Sequence, residues 1–571
     1  MSRFLCSCLR ALLYLLVAFA TVSIGQSAKP TTTTATKHLV PKQKLTPEQQ
    51  RGLRLLKAAQ AEAAGLSPAM RAAVLWQASH GYQKLDPPRM RTVLMDAYRA
   101  ATSADDEHPE VKCFNMPDVC HAKLWLEDKT LSEIVGLSPA DAEELLPQAE
   151  DSVRSSVTKE LIGKYVRDKK FDHAEELLRG VADRDDFPYD AVSELMAALP
   201  KDREQQRVGI FNLALGNFRT FGAADISFED LGTLVIRFWQ HLPAPTVLEA
   251  IDALLGHAKD ESEKASDNRV SFSAGNASVS FSPYQYRLFE LLPVLQQLDS
   301  TRAESLMREQ QEVAGALKKY PKGLASLYPG YRDTPLTERE QMDPNYPALS
   351  TGGSAADRVA DAAFDVWERN VESKQIHAKE LANKDPKQAL SVAMTIPLWG
   401  PMGPGKYSPR ATTLAAILPA IAAKDSDAAS KGLTELRSVL GQLNSLHAGR
   451  IASQMADTYV KLGRVEEAEK IIAEGLKIAD KLYESDTDGD DPNLALKAAW
   501  PSAGLWRKLI IISTKISIEY AVKIMNEIPD QEIRSFEQVG LANALLGTSN
   551  FGSFLSLDWR ASQGHQGMVA F

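Results

Sequence analysis

The sequence predicts an all-α fold, an α-solenoid of stacked helical hairpins. Three observations point there. Segments rich in Ala and Leu recur at helical spacing, separated by Gly, Pro, Asp and Ser. A two-helix stretch at 456–480, ADTYVKLGRVEEAEKIIAEGLKIAD, has a second copy of its core near Tyr165. A different string, ALSVAMTIP at 389–397, matches AVKIMNEIP at 521–529 position by position. Self-similarity without a fixed period is what an irregular solenoid shows.

The bulk numbers fit. The chain has 571 residues, enough for several domains or one long solenoid. Its 44% hydrophobic and 24% charged content is that of a folded soluble protein. The net charge is −9, and no dense Lys/Arg block occurs, which argues against nucleic acid as a partner.

Residues 1–25 read as a signal peptide. Arg3 and Arg10 precede an apolar run of 14 residues, Ala11 to Ile24, which suits an export signal and is short for a membrane span. Ser23-Ile24-Gly25 supplies the small residues that a signal peptidase needs, and an uncleaved anchor helix is the rival reading. Loss of Arg3 and Arg10 takes the charge from −9 to −11. Cys6 and Cys8 precede the apolar run, where a lipoprotein cysteine would follow it. The two remaining cysteines, Cys113 and Cys120, are expected to form a disulfide in an oxidising compartment. Free thiols, or a metal site that adds His108 and His121, are the alternatives; the adjacent Cys120 and His121 fit one tetrahedral ion poorly.

Residues 26–46, rich in Thr, Lys and Pro, form a disordered tether. Structure starts near Pro47 with a helix to about Ala64, ended by Gly65 in a left-handed cap. Ser67-Pro68 and Asp86-Pro87 open the next two helices. A charged loop from Ser103 to Asp118 leads to the cysteines, and helices at 121–135 and 138–147 follow, the second capped by Ser138-Pro139. Next come Asp151–Asp168 and Phe171–Ala182, then helical stretches 188–199, 202–218, 228–241 and 245–257. Val270, Phe272, Val279 and Phe281 alternate with serines around Ala-Gly-Asn and predict a small β-hairpin near 269–281, with a plain loop as the rival. Two helices run to about Lys319. Pro, Gly, Tyr and Ser then mark 320–356 as a linker between helical-repeat domains at 47–319 and 357–546. The tail, 547–571, is Gly/Ser-rich and aperiodic.

The paired copies align closely. Tyr165-Val166 stands where Tyr459-Val460 stands, Ala174-Glu175 matches Ala468-Glu469, and Leu177-Leu178 matches Ile471-Ile472. A small alanine lets the second helix approach the first, the tyrosine covers the inner face, and the aliphatic pair fills the seam. The tyrosine, the alanine nine later and the aliphatic residue four after that resemble a tetratricopeptide repeat. Ala456 fits the small residue three before the tyrosine; Ile162 departs from it, and the terminal proline of the family is missing from both copies. The resemblance implies stacked helix pairs, a superhelix and a protein-binding habit; it supplies no catalytic residue. A further pattern supports stacking: an Asp or Ser cap with Ala four residues later, at Asp299/Ala303, Asp385/Ala389 and Ser517/Ala521.

Four stretches of the sequence are site candidates. Gly400 to Tyr407, GPMGPGKY, nearly fits a phosphate loop, but Pro401 and Pro404 lack N–H donors and Tyr407 replaces the required Ser/Thr. Nucleotide binding is therefore not expected, and no cofactor is assigned. The same stretch carries an insertion: Pro397 to Arg410 spans thirteen steps, where Pro529 to Arg534 spans five. Insertions in solenoids project from one face, often the binding face. Trp399, Met402, Lys406 and Tyr407 are thus candidates for partner contact, against the reading that Trp399 folds back to plug a groove. Asp486-Thr-Asp488-Gly-Asp490-Asp491 resembles the start of a calcium loop, but Asp491 replaces the required glycine and Lys497 the closing glutamate. A solvated acidic turn is expected there. Paired carboxylates such as Glu143-Glu144 and Glu466-Glu467 read as solvated helix faces, and the histidines as structural or exposed.

No HExxH, G-x-S-x-G or Cys/His nucleophile signature occurs, and none of the Glu-Ser pairs (Glu261-Ser262, Glu372-Ser373, Glu484-Ser485) sits in a lytic transglycosylase-type motif. The expected protein is an exported, periplasmic or secreted scaffold of a bacterial cell envelope that binds protein partners. A polysaccharide-active α/α enzyme is the alternative, and would show a cleft with carboxylates of shifted pKa.

Overall fold

The computed structural model describes residues 45–105, 122–222, 230–264, 269–274, 277–327, 355–400, 407–488 and 496–548. The leader, most of the tether, Cys113, Cys120, His108, His121, Met402, Lys406 and Asp490 lie outside these residues.

The described residues form an all-α solenoid apart from one hairpin. In chain order the first helices are α1 (Pro47–Glu62), α2 (Pro68–Tyr82), α3 (Pro87–Thr102), α4 (Ala122–Leu137), α5 (Pro139–Leu145), α6 (Asp151–Arg167), α7 (Phe171–Gly180), α8 (Tyr189–Ala198), α9 (Glu204–Phe221), α10 (Leu231–Phe238) and α11 (Ala244–Lys264). Strands β1 (Val270–Ala274) and β2 (Ala277–Phe281) follow, then α12 (Pro283–Leu298), α13 (Ser300–Glu309), α14 (Gln311–Lys319) and a short α15 (Leu324–Leu327). The second half holds α16 (Ala355–Ala382), α17 (Pro386–Met394), α18 (Pro409–Ala422), α19 (Ser426–Leu440), α20 (Ser445–Lys461), α21 (Val465–Asp488), α22 (Pro501–Thr514), α23 (Ile518–Asn526) and α24 (Gln531–Leu546). Most helices pack on neighbours in sequence, α2 on α3, α6 on α7, α20 on α21. The short strands pair antiparallel, Val270 opposite Phe281 and Phe272 opposite Val279, with Val279 and Phe281 buried.

The two repeat copies share a backbone hydrogen-bond set. The N–H of Lys170 donates to the Tyr165 carbonyl at 2.8 Å, and that of Arg464 to Tyr459 at 2.9 Å. Lys169 to Val166 and Gly463 to Val460 both measure 3.0 Å. This is a Schellman closure, which puts the residue after the helix in the left-handed region. Gly463 takes φ 71° at no steric cost, whereas Lys169 takes φ 58° with a Cβ. Gly463→Ala is therefore expected to lower stability by about 1 kcal/mol, and Lys169→Gly to leave it unchanged or raise it by up to about 1 kcal/mol. Paired urea melts check both. Ala174 and Ala468 are fully buried between their helices, as the close approach requires.

The capping pattern is also realised. Asp299, Asp385 and Ser517 accept the N–H of Arg302, Gln388 and Tyr520, each at 3.0 Å, and the alanine four residues on is fully buried in all three. Asp425 with Ala429 and Asn444 with Ala448 repeat the device.

Several expectations need correction. Gly65 is not in the left-handed region; it closes a 3-10 turn, Ala63–Gly65. Ser67 and Ser138 stand at helix N-termini, but their side chains do not cap. The Ser67 hydroxyl is instead taken by Glu532, 2.5 Å away. Three helices, not two, run from Pro283 to Lys319.

That Ser67–Glu532 bond belongs to a junction that the sequence does not announce. α1 and α2 pack on α24, the last described helix. Gln538 donates to the Leu55 carbonyl at 3.0 Å and Asn543 to the Gln77 carbonyl at 2.9 Å. Phe536, Val539, Ala542 and Leu546 of α24 thereby join the core of the first half.

The acidic stretch at 486–491 differs from a solvated turn at its first residue. Asp486 lies within α21, buried, and its carboxylate accepts the N–H of Ser502 at 3.1 Å. It acts as an N-cap for α22 supplied from another helix. Asp486→Ala is expected to cost about 1 kcal/mol, the usual worth of a cap, read as a shift in the thermal midpoint.

Candidate functional site

Two surfaces are built by the fold. The first is the insertion between α17 and α18. Its repeat frame is conserved within the chain: Arg410 donates to the Ile396 carbonyl and Arg534 to the Ile528 carbonyl, both at 2.8 Å. Between these points the extra residues are clamped at their base. The N–H of Gly400 donates to the Tyr407 carbonyl at 3.2 Å, and the Ser408 hydroxyl to the Leu398 carbonyl at 2.5 Å. Ser408 then caps α18 by accepting the Ala411 N–H at 3.1 Å. Trp399 is half-buried at this neck. Tyr407, also half-buried, meets the His447 ring edge-on at 5.5 Å. The structure thus brings Trp399 and Tyr407 to one clamped neck.

The second surface is a groove of about 760 Å³ beside the first repeat hairpin. Glu143 and Leu146 come from α5 and the 3-10 turn after it, and Asp151, Arg154 and Thr158 from α6. α7 contributes His173, Glu176 and Leu177. The following turn adds Val181, Asp183, Arg184 and Asp185, and α9 ends in Phe221, one of the few large apolar side chains left exposed.

Local chemistry fixes these side chains. His173 Nε2 lies 3.0 Å from a Glu143 oxygen, and its Nδ1 lies 3.3 Å from Glu176. The Tyr165 hydroxyl donates to Glu143, and its ring meets that of His173 edge-on at 4.6 Å. Burial, and then the Glu143 carboxylate, push the Tyr165 hydroxyl pKa well above its ordinary value. Glu143 is therefore a bonded group at the hairpin's inner face, not the solvated charge its sequence context predicts. Arg154 pairs with Asp151 at 3.1 Å and donates to the Ala149 carbonyl at 2.8 Å. Arg184 pairs with Asp186 at 3.1 Å and reaches Asp151 at 3.5 Å. Glu176, Asp183 and Asp185 are exposed.

Carboxylates with raised pKa lie elsewhere. Burial pushes up Glu127, Glu160 and Glu537, and burial with the nearby Glu484 charge pushes up Asp480; none of them lines the groove. Glu537 is held by Arg507 at 2.7 Å, and Glu290 by Arg287 at 2.6 Å, in buried bridges between or along helices. Among the described residues no group of three or more His, Cys, Asp or Glu is arranged to hold a metal ion. No described helix is long and apolar enough to cross a membrane.

The fold defines an α-solenoid whose two best-matched hairpins share one set of turn hydrogen bonds and one buried alanine position. No protein-family model matches the chain, and no curated protein matches it. Among solved structures, a match is found to "Crystal structure of APC/C hetero-tetramer Cut9-Hcn1". It has 13% identity, covers 85% of this chain and 97% of that one, and gives a TM-score of 0.18, a superposition too loose to bear on fold or function.

Proposed function

We propose that this chain is an exported helical-repeat scaffold that binds partner proteins in the cell envelope. The observation that carries the reading is the groove beside the first repeat hairpin. It combines an exposed apolar side chain, Phe221, with fixed charges on a rigid frame, the anatomy of a recognition surface. The insertion that carries Trp399, Met402, Lys406 and Tyr407 offers a second contact region, since Trp399 and Tyr407, held at its clamped base, lose little entropy on binding. The leader at 1–25 supports export, and export supports a Cys113–Cys120 disulfide. The same reading keeps two helical-repeat domains, 47–319 and 357–546, joined by 320–356.

Affinity capture from periplasmic extract tests it, with the wild-type chain beside Phe221→Ser and Trp399→Ala. The expected result is a protein enriched by the wild type and depleted by at least one variant of unchanged melting temperature. Absence of any protein enriched over a bare-resin control overturns the reading. A fall in melting temperature for Trp399→Ala assigns that side chain to packing instead.

A further inference from the structure

We infer that the groove between α5, α6, α7 and the end of α9 takes a cationic segment of a partner protein, one that places Lys or Arg beside a large apolar side chain. The inference rests on the scaffold reading and specifies its partner class.

The charge balance of the groove carries it. Glu143, Asp151, Glu176, Asp183 and Asp185 bring five carboxylates, against two guanidiniums from Arg154 and Arg184. Both guanidiniums are already spent on Asp151, Asp186 and backbone carbonyls. Glu143 and Glu176 meet His173, but Asp183 and Asp185 stand exposed at the rim in no ion pair among the described residues. A wall of like charge along a low-dielectric floor focuses a negative potential and draws in cations.

The apolar part defines the other half of the ligand. Leu146, Leu177 and Val181 line the groove, and Phe221, 42% exposed, stands with them. A small cation would leave this surface wet; a side chain such as Leu or Phe would cover it, at roughly 25 cal/mol per Å² of apolar area removed from water. The volume, about 760 Å³, suits a few residues of extended chain rather than a whole domain face.

The test uses the full mature chain and three labelled octapeptides, (Lys-Leu)4, (Glu-Leu)4 and (Lys-Ser)4, read by fluorescence anisotropy. The expected order is tight binding of (Lys-Leu)4, weaker (Lys-Ser)4 and no binding of (Glu-Leu)4. Asp183→Asn/Asp185→Asn is expected to weaken (Lys-Leu)4 by about tenfold at low salt, with the difference shrinking near 1 M salt, where the Debye length falls to about 3 Å. Phe221→Ser is expected to weaken (Lys-Leu)4 and leave (Lys-Ser)4 unchanged. All these residues are exposed, so melting temperature should hold, and circular dichroism checks it. Equal binding of the Lys and Glu peptides, or an unchanged affinity in the double variant, overturns the cationic assignment. Equal binding of (Lys-Ser)4 and (Lys-Leu)4 overturns the apolar anchor and leaves a site for charge alone. The scaffold reading is scored separately by capture: a partner lost with Phe221→Ser but retained by the double Asn variant keeps the scaffold and rejects the cationic segment.

Discussion

Arg507→Met is expected to lower stability by about 3–5 kcal/mol, the usual result of breaking a buried ion pair by removing one member. Arg507 of α22 donates to Glu537 of α24 at 2.7, 3.1 and 3.2 Å, and to the Ala498 carbonyl at 3.2 Å. Its guanidinium also lies 4.9 Å from the Phe536 ring centre. Glu537 is 1% exposed, so methionine would leave a carboxylate with neither water nor a cation. Burial already pushes its pKa up, with Arg507 opposing; losing Arg507 pushes it further. The folded variant then keeps a proton on Glu537 at a pH where the unfolded chain has released it. That contribution is fully present below the unfolded carboxylate value, about 4.3, and is lost as pH rises through the folded one. The deficit of Arg507→Met should accordingly be smaller at pH 5 than at pH 8. Adding Glu537→Leu should recover most of the loss, since a buried pair replaced whole by apolar groups costs little. Urea midpoints at both pH values decide it; a deficit below about 1 kcal/mol at pH 8 would show that the pair is solvated.

What the sequence discloses here is whatever is local. The Schellman turn after Tyr165 and Tyr459, the caps at Asp299, Asp385 and Ser517, and the paired strands at 270–281 all sit within a few residues of the signals that predict them. A further local signal lies in the arginines. Leu146-Pro147 precedes Arg154, and Leu199-Pro200 precedes Arg207, at the same offset of seven. Arg154 reaches Ala149 at 2.8 Å and Arg207 reaches Leu199 at 2.9 Å, each donating to a carbonyl that the preceding helix leaves open. The aligned pairs Ile396/Arg410 and Ile528/Arg534 do likewise, so in α6, α9, α18 and α24 an arginine of the first turn ties the helix to the element before it. The groove was not legible, because its walls are drawn from 143 to 221 and each charge taken alone looks like an ordinary solvated helix face. Ser67 misled for a similar reason: as a local N-cap it fits, yet its hydroxyl is claimed by Glu532, 465 residues away.

Gly52→Leu is expected to lower stability by about 2–3 kcal/mol and to separate the halves of the described chain on unfolding. Gly52 faces α24 so closely that a Cβ there would stand 2.9 Å from the Ala542 carbonyl oxygen and 3.0 Å from Leu545 Cβ. The first of these is backbone and cannot swing aside. Leucine must therefore lift α1 away from α24, which exposes Leu56 and Ala542, both fully buried, and breaks the bond from Gln538 to the Leu55 carbonyl. A general gain in helix propensity of about 1 kcal/mol on replacing glycine works in the opposite direction. Gly65→Ala, where nothing lies within 4 Å of the added carbon, serves as the control and should change stability little. The separation follows from how α24 is shared. Phe536, Val539, Ala542 and Leu546 pack in the core of the first half, while Ile533 and Leu541 pack in that of the second. With α1 lifted, the first core keeps α24 only through its contacts with α2 while the second keeps its own, so the two should melt in distinct steps. Hydrogen exchange would show it as early loss of protection in α1 and α2 with α18 to α22 still protected. A Gly52→Leu chain that unfolds at the wild-type midpoint would mean that α1 does not pack on α24 in solution.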